Sequence, residues 1–138
     1  MKYRVFVYGT LLRGFGNYRR LLEKQATFIG EAQLPGYQML HLGGFPGIVP
    51  GSAGDVVEGE VFEFDSDGVL QGLDWLEGHP NFYTRTPVKL ADGTDAEVYV
   101  LNLRGGTNPY RVVESGSWRQ VTGTSVPEAP KEKEVVHG

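Results

Sequence analysis

The chain has 138 residues, of which 40% are hydrophobic and 22% charged, values that fit one globular domain and exclude a disordered polymer. Thirteen Lys+Arg against 17 Asp+Glu leave a net charge of −4, which gives no electrostatic footprint for nucleic acid or an anionic membrane. The absence of cysteine excludes disulfides, thiolate-held zinc, iron–sulfur clusters and a thiol nucleophile.

Residues 3–8 are β-branched and aromatic and predict a strand that Gly9 ends. No signal peptide precedes it, and no apolar run reaches the roughly 18 residues of a membrane span, so a soluble cytoplasmic protein is expected. Residues 11–16 form a turn region, and Asn17 is placed to cap a short helix over 18–24. Strands follow at 26–33 and 37–42, separated by the Pro35-Gly36 turn. Residues 43–47, rich in glycine, read as a loop. Residues 56–64 are the longest strand candidate. Asp65 or Ser66 then caps a helix ending at Glu77, with Gly78 at the position after its end and Pro80 beyond. Strands at 82–90 and 97–103 flank the Ala91-Asp92-Gly93 turn. A loop over 104–109 and a short strand over 110–113 complete the domain, which is assigned to 1–120. Residues 121–138, dominated by Pro, Lys and Glu from Pro127 onward, are expected to be a mobile tail. Six or seven strands with two short helices predict a curled or barrel-like sheet with helices packed on it.

Three features carry chemistry. Where the first strand ends, the segment Tyr8-Gly9-Thr10-Leu11 frees backbone N–H groups for an anion; the alternative is a plain turn after an edge strand. On the helix ending at Glu77, Val69, Leu70, Leu73 and Leu76 form one stripe at 100° per residue, and Glu77 falls inside it. A carboxylate there breaks two rules: it loses hydration, and it meets the negative end of the helix dipole. Such a carboxyl has a raised pKa and suits proton transfer near neutrality, unless the last turn frays and the side chain enters water. Asp74, at the stripe edge, reads as a solvated surface residue. Tyr83 and Arg85 share a strand face, and with Tyr110 they either reach toward Glu77 or simply pack. Glu58 and Glu60 read as surface or barrel-mouth acids. His41, His79 and His137 lack metal spacing, and no serine sits in a nucleophile elbow.

The order of short blocks resembles one family. Phe6 to Leu11 with Arg13-Gly14 and Asn17 comes first, then Phe45 to Val49 and Val57 to Phe62. Leu73 to Gly78, Tyr83-Thr84-Arg85, Tyr110 and Ser115 to Trp118 follow. This pattern resembles the γ-glutamylcyclotransferase-like proteins, especially the γ-glutamylamine cyclotransferase branch. The resemblance implies an α+β fold, a small mixed β-barrel with flanking short helices. It implies an enzyme that turns a γ-glutamyl amine or amide into 5-oxoproline and free amine without metal or cofactor. It puts the acid/base role on Glu77 and the glutamyl-binding role on Tyr8, Gly9, Thr10 and Leu11. Tyr83 and Tyr110 match aromatic positions lining the pocket. The implied partner is a small γ-glutamyl molecule, with oligomeric state left open. A non-catalytic module that binds a γ-glutamyl compound or carboxylate on the same fold is the alternative.

Overall fold

The β-branched run Tyr3–Val7 forms the central strand, β1, in the computed structural model, which describes residues 2–103 and 109–126. In chain order there follow α1 (Gly16–Leu21), β2 (Thr27–Pro35), β3 (Tyr37–His41), β4 (Pro46–Pro50) and β5 (Val56–Phe64). Then come α2 (Asp67–Glu77), β6 (Tyr83–Lys89), β7 (Asp95–Leu101), β8 (Arg111–Val113) and α3 (Trp118–Thr122). Among the described residues, no helix is long and apolar enough to cross a membrane.

Five strands form one sheet in the order β2-β5-β1-β7-β6, and three form a second in the order β4-β3-β8. β1 runs antiparallel to β5, with Val5 opposite Phe62, and parallel to β7. The α+β architecture is therefore as expected, but no ladder closes the described strands into a barrel. Instead β3 and β4 lie against β5 and β7, and Leu40, Ile48, Val57 and Val98 are fully buried. Close approach explains two glycines in this layer. A Cβ on Gly47 would lie 3.0 Å from the Leu101 side chain, and one on Gly59 would lie 2.2 Å from the Val7 carbonyl oxygen. No side chain fits at Gly59, so β5 can run directly over the end of β1.

Several local expectations change. Residues 46 and 47, expected in a loop, open strand β4; proline at a first strand position loses no interior ladder bond. α1 begins at Gly16 with Phe15 as its cap residue, so Asn17 lies inside the helix and is not its cap. A third helix, α3, follows Ser117, whose hydroxyl accepts from the Gln120 N–H at 3.3 Å; five residues are too few to show a helical period. Of the expected tail, residues 121 and 122 end α3 and residues 123–126 follow it, and Arg119 donates to the Thr124 and Ser125 carbonyls, each at 3.2 Å. Residues 127–138, and 104–108 of the expected loop, lie outside the described residues.

Glu60 is also not a surface acid. It is 2% exposed, and both oxygens are occupied. Oε1 accepts the Arg13 backbone N–H at 2.9 Å, and Oε2 accepts Nη2 of Arg13 at 3.1 Å and Nη2 of Arg119 at 2.9 Å. This ion cluster ties the chain just after the Tyr8–Leu11 turn to β5 and α3.

Candidate active site

α2 sets the position of Glu77. Ser66 caps its start, accepting the Val69 N–H at 3.2 Å, and Val69, Leu70 and Leu73 are buried. Trp75 points outward and is 83% exposed. Gly78 ends the helix with φ +68, a left-handed conformation that glycine adopts without strain. The helix therefore stops with Glu77 half-buried, and burial pushes its carboxyl up to about 7.

Glu77 borders a cavity of about 300 Å3 that Tyr8, Gly9, Thr10, Leu11 and Tyr83 also line. The end of β1, the end of α2 and the start of β6 thus meet at one place. Tyr110 is not among the residues of this cavity. It lines a neighbouring one of about 410 Å3, with Phe82 common to both. Arg85 does not line the cavity either. Its guanidinium forks onto Asp74 at 3.0 and 3.2 Å and reaches Glu97 at 3.0 Å.

Asp74 is consequently no solvated surface residue. Besides Arg85 it accepts the Tyr99 hydroxyl at 2.7 Å. Neither partner is visible from helix periodicity, because both reach α2 from other strands. His79, for which the sequence suggests no role, accepts the Arg85 N–H on Nδ1 at 3.0 Å and holds the turn after α2 to β6.

Three tyrosines surround the carboxyl, and each hydroxyl proton is already engaged. Tyr8 donates to the Tyr99 carbonyl at 2.7 Å, and Tyr83 to the Pro46 carbonyl at 2.6 Å. Tyr99 donates to Asp74. Burial raises the pKa of all three, and the nearby Glu77 charge adds to the rise. They stay neutral, and each keeps only acceptor capacity. Thr10 is arranged in the opposite sense. Asn17 Nδ2 donates to its Oγ1 at 2.9 Å, and Arg20 donates to the Asn17 side-chain oxygen. The Thr10 hydroxyl proton is thereby left to donate to an acceptor in the cavity. Asn17, Tyr99, Phe45 and Phe82 also line the cavity and were not expected there; the available signals were the matches of Asn17 and Phe45 in the family pattern.

Gly9 forms the wall between the turn and β4. A Cβ there would lie 2.7 Å from Pro46 Cγ. Gly9→Ala is expected to push β4 off the turn and cost about 1–3 kcal/mol, read as a lowered urea midpoint with unchanged slope. An unchanged midpoint would show that the wall yields freely.

A larger hollow of about 450 Å3 is lined by the paired Glu60 and Arg119 and by the acids Glu31, Glu58 and Asp92. Among the described residues, no group of three or more His, Asp or Glu could hold a metal ion.

Comparison with known proteins places this geometry. Residues 5–120 match the family described as Gamma-glutamyl cyclotransferase, AIG2-like. The Gamma-glutamylcyclotransferase family protein YtfP of Escherichia coli is 33% identical over 115 residues, covering 83% of this chain and 95% of its own. The Gamma-glutamylaminecyclotransferase B of Danio rerio is 42% identical over 94 residues, covering 62% of this chain and 48% of its own. The crystal structure of an AIG2-like protein from Mus musculus superimposes with a TM-score of 0.71 at 25% identity, covering 94% of this chain and 98% of that one.

Proposed function

This chain belongs to the gamma-glutamyl cyclotransferase, AIG2-like family, and we propose that it converts a γ-glutamyl amine into 5-oxoproline and the free amine, with Glu77 as general base and then general acid. The observation that carries this reading is the position of Glu77: a half-buried carboxyl, raised to about 7, beside the Tyr8–Leu11 turn in one cavity. A group near 7 holds both protonation states at neutral pH, which suits taking and returning a proton.

The steps follow from that placement. Donors of the Tyr8–Leu11 turn and the Thr10 hydroxyl hold the α-carboxylate of the glutamyl unit. The chain folds back so that its neutral α-amine meets the γ-carbonyl carbon, and this orientation lowers the entropic part of the barrier. The nitrogen attacks, a C–N bond forms, and the carbonyl oxygen becomes an oxyanion held by backbone N–H donors of the turn. Glu77 takes a proton from the attacking nitrogen. It returns that proton to the amide nitrogen as the second C–N bond breaks, releasing the amine and 5-oxoproline. No atom or electron beyond the substrate is needed.

On this reading the leaving group carries no carboxylate next to the scissile nitrogen, which disfavours an amino acid that leaves through its α-amine. Among the described lining residues there is no Lys or Arg, and the one formally charged side chain is Glu77. A carboxylate next to the scissile nitrogen would meet no cation and would be repelled by Glu77.

The test is 5-oxoproline and amine formation from a panel of γ-glutamyl amines and γ-glutamyl amino acids, followed by mass spectrometry. Product from the amines supports the reading. Thermal stabilisation by these compounds without any product would replace the enzyme with a binding protein. Thr10→Val keeps the shape and removes the hydroxyl, so it is expected to raise KM about tenfold with a smaller change in kcat. An unchanged KM would remove Thr10 from the carboxylate site.

A further inference from the structure

Two aromatic side chains stand at the mouth of the Glu77 cavity with no established task. Phe45 is 39% exposed and Phe82 is 44% exposed, whereas Tyr8, Tyr83 and Tyr99 deeper in the lining are buried. The two rings meet edge to face, with centroids 6.2 Å apart, and Phe82 also packs edge-on against Tyr83 at 4.9 Å. Each is fixed by its backbone. The Phe45 carbonyl accepts the Leu42 N–H at 3.0 Å. Phe82 donates its N–H to Gly78 at 2.9 Å, and its carbonyl accepts the Asn102 N–H at 3.0 Å. The Asn102 side chain donates to the Asn81 carbonyl at 2.9 Å and to the Pro80 carbonyl at 2.8 Å. The pair is therefore a preformed surface, which binds without first having to be ordered.

A single exposed aromatic is ordinary on a protein surface; Trp75 is more exposed and borders none of the cavities described above. Two that touch each other at the rim of a reaction cavity, on loops from different parts of the chain, form an apolar platform. The polar donors of the cavity, Thr10 and the turn, belong to the wall built by the end of β1. With the α-carboxylate and the γ-carbonyl oxygen both held at that wall, the substituent on the amide nitrogen is the part of the substrate that extends away from it. Phe45 and Phe82 are the half-exposed apolar side chains left to receive what lies beyond the amide nitrogen.

Resting on the cyclotransferase reading, we propose that Phe45 and Phe82 determine specificity for the leaving amine, selecting one with an apolar, aromatic-sized body over a small or a charged one. Covering both rings removes apolar surface from water, and an aromatic body adds an edge-to-face contact. A methylamine is too short to cover them. An aminopentyl chain covers the rings only with its methylene stem and adds no edge-to-face contact.

The experiment compares kcat/KM for three substrates: γ-glutamyl methylamide, γ-glutamyl phenethylamide and γ-glutamyl 5-aminopentylamide. The expected order places the phenethylamide about tenfold above the methylamide and above the aminopentylamide. Phe45→Ala and Phe82→Ala are each expected to lower the phenethylamide-to-methylamide ratio about fivefold. Phe82→Leu, which keeps apolar bulk against Tyr83, is expected to lose less and guards against a folding defect. An unchanged ratio in both alanine variants overturns the proposal, and so does an aminopentylamide that exceeds the phenethylamide. In either case turnover of the methylamide leaves the cyclotransferase reading standing. No 5-oxoproline from any of the three overturns that reading and this proposal with it.

Discussion

Glu77→Gln is expected to lower kcat/KM for 5-oxoproline formation by about 10²–10⁴-fold while making the folded protein more stable above pH 7. The two effects have one origin. Burial raises the carboxyl from 4.5 to about 7, so the folded state prefers the neutral acid. For a carboxyl raised in this way, the contribution to stability is fully present below about pH 4.5. It is lost as pH rises through about 7, because the folded protein must then hold a poorly hydrated negative charge. Glutamine has nearly the same shape and never ionises. The variant should match the parent near pH 4.5 and exceed it by about 1–2 kcal/mol at pH 8.5, a range below the full linkage value because the carboxyl is only part-buried. Urea midpoints at the two pH values measure this. The kinetic counterpart is an ascending limb of kcat/KM centred near pH 7 in the parent, where the carboxylate form must be present to accept the proton. Equal turnover by the variant would remove Glu77 from the chemistry. Loss of turnover without the stability gain at high pH would mean that the carboxyl is better hydrated than its position suggests.

The second large effect is expected at Glu60. Glu60→Gln removes the one negative charge that both Arg13 and Arg119 contact, at 3.1 and 2.9 Å, on a carboxylate that is itself buried. Breaking the ion cluster at its buried carboxylate leaves Arg119 with carbonyl acceptors and Arg13 with the exposed Glu31 at 3.8 Å, and the cost is about 3–5 kcal/mol. Glutamine keeps one acceptor oxygen for the donors that Glu60 serves with two, so the Arg13 backbone N–H, which follows the Tyr8–Leu11 turn closely in the chain, is held less firmly. A rise in KM should therefore accompany the loss of stability. A double-mutant cycle with Arg119→Ala separates the pair from its surroundings: the two changes should be far from additive. A loss under about 1 kcal/mol would reduce the cluster to a surface ion pair.

What could be read in advance was local. β5 and α2 follow from a strand-like run and from one stripe of Val69, Leu70 and Leu73, with Ser66 and Gly78 marking the helix ends. The position of Glu77 within that stripe needed only a period of 3.6 residues. The Tyr8–Leu11 turn was legible as the abrupt end of β1. The small elements were not: β4 hides behind the glycine-rich segment, and α3 is shorter than the window in which a period shows.

Side-chain partnerships were also closed to the sequence. Asp74 and Glu60 both look like surface acids by spacing. Their fates depend on Arg85, Tyr99, Arg13 and Arg119, which arrive from other elements. Asn17 looks like a cap, and only the packing of α1 beside the turn turns its amide onto Thr10. The sequence by itself determined the longer strands and α2, and that a carboxyl would stand on the core-facing side of α2. The tertiary structure alone decided which acids became neutralised anchors and which one remained unpaired in a cavity. The physical reason is range: hydrogen-bonded periodicity is set by neighbours along the chain, whereas burial and charge pairing depend on groups that folding brings from far away.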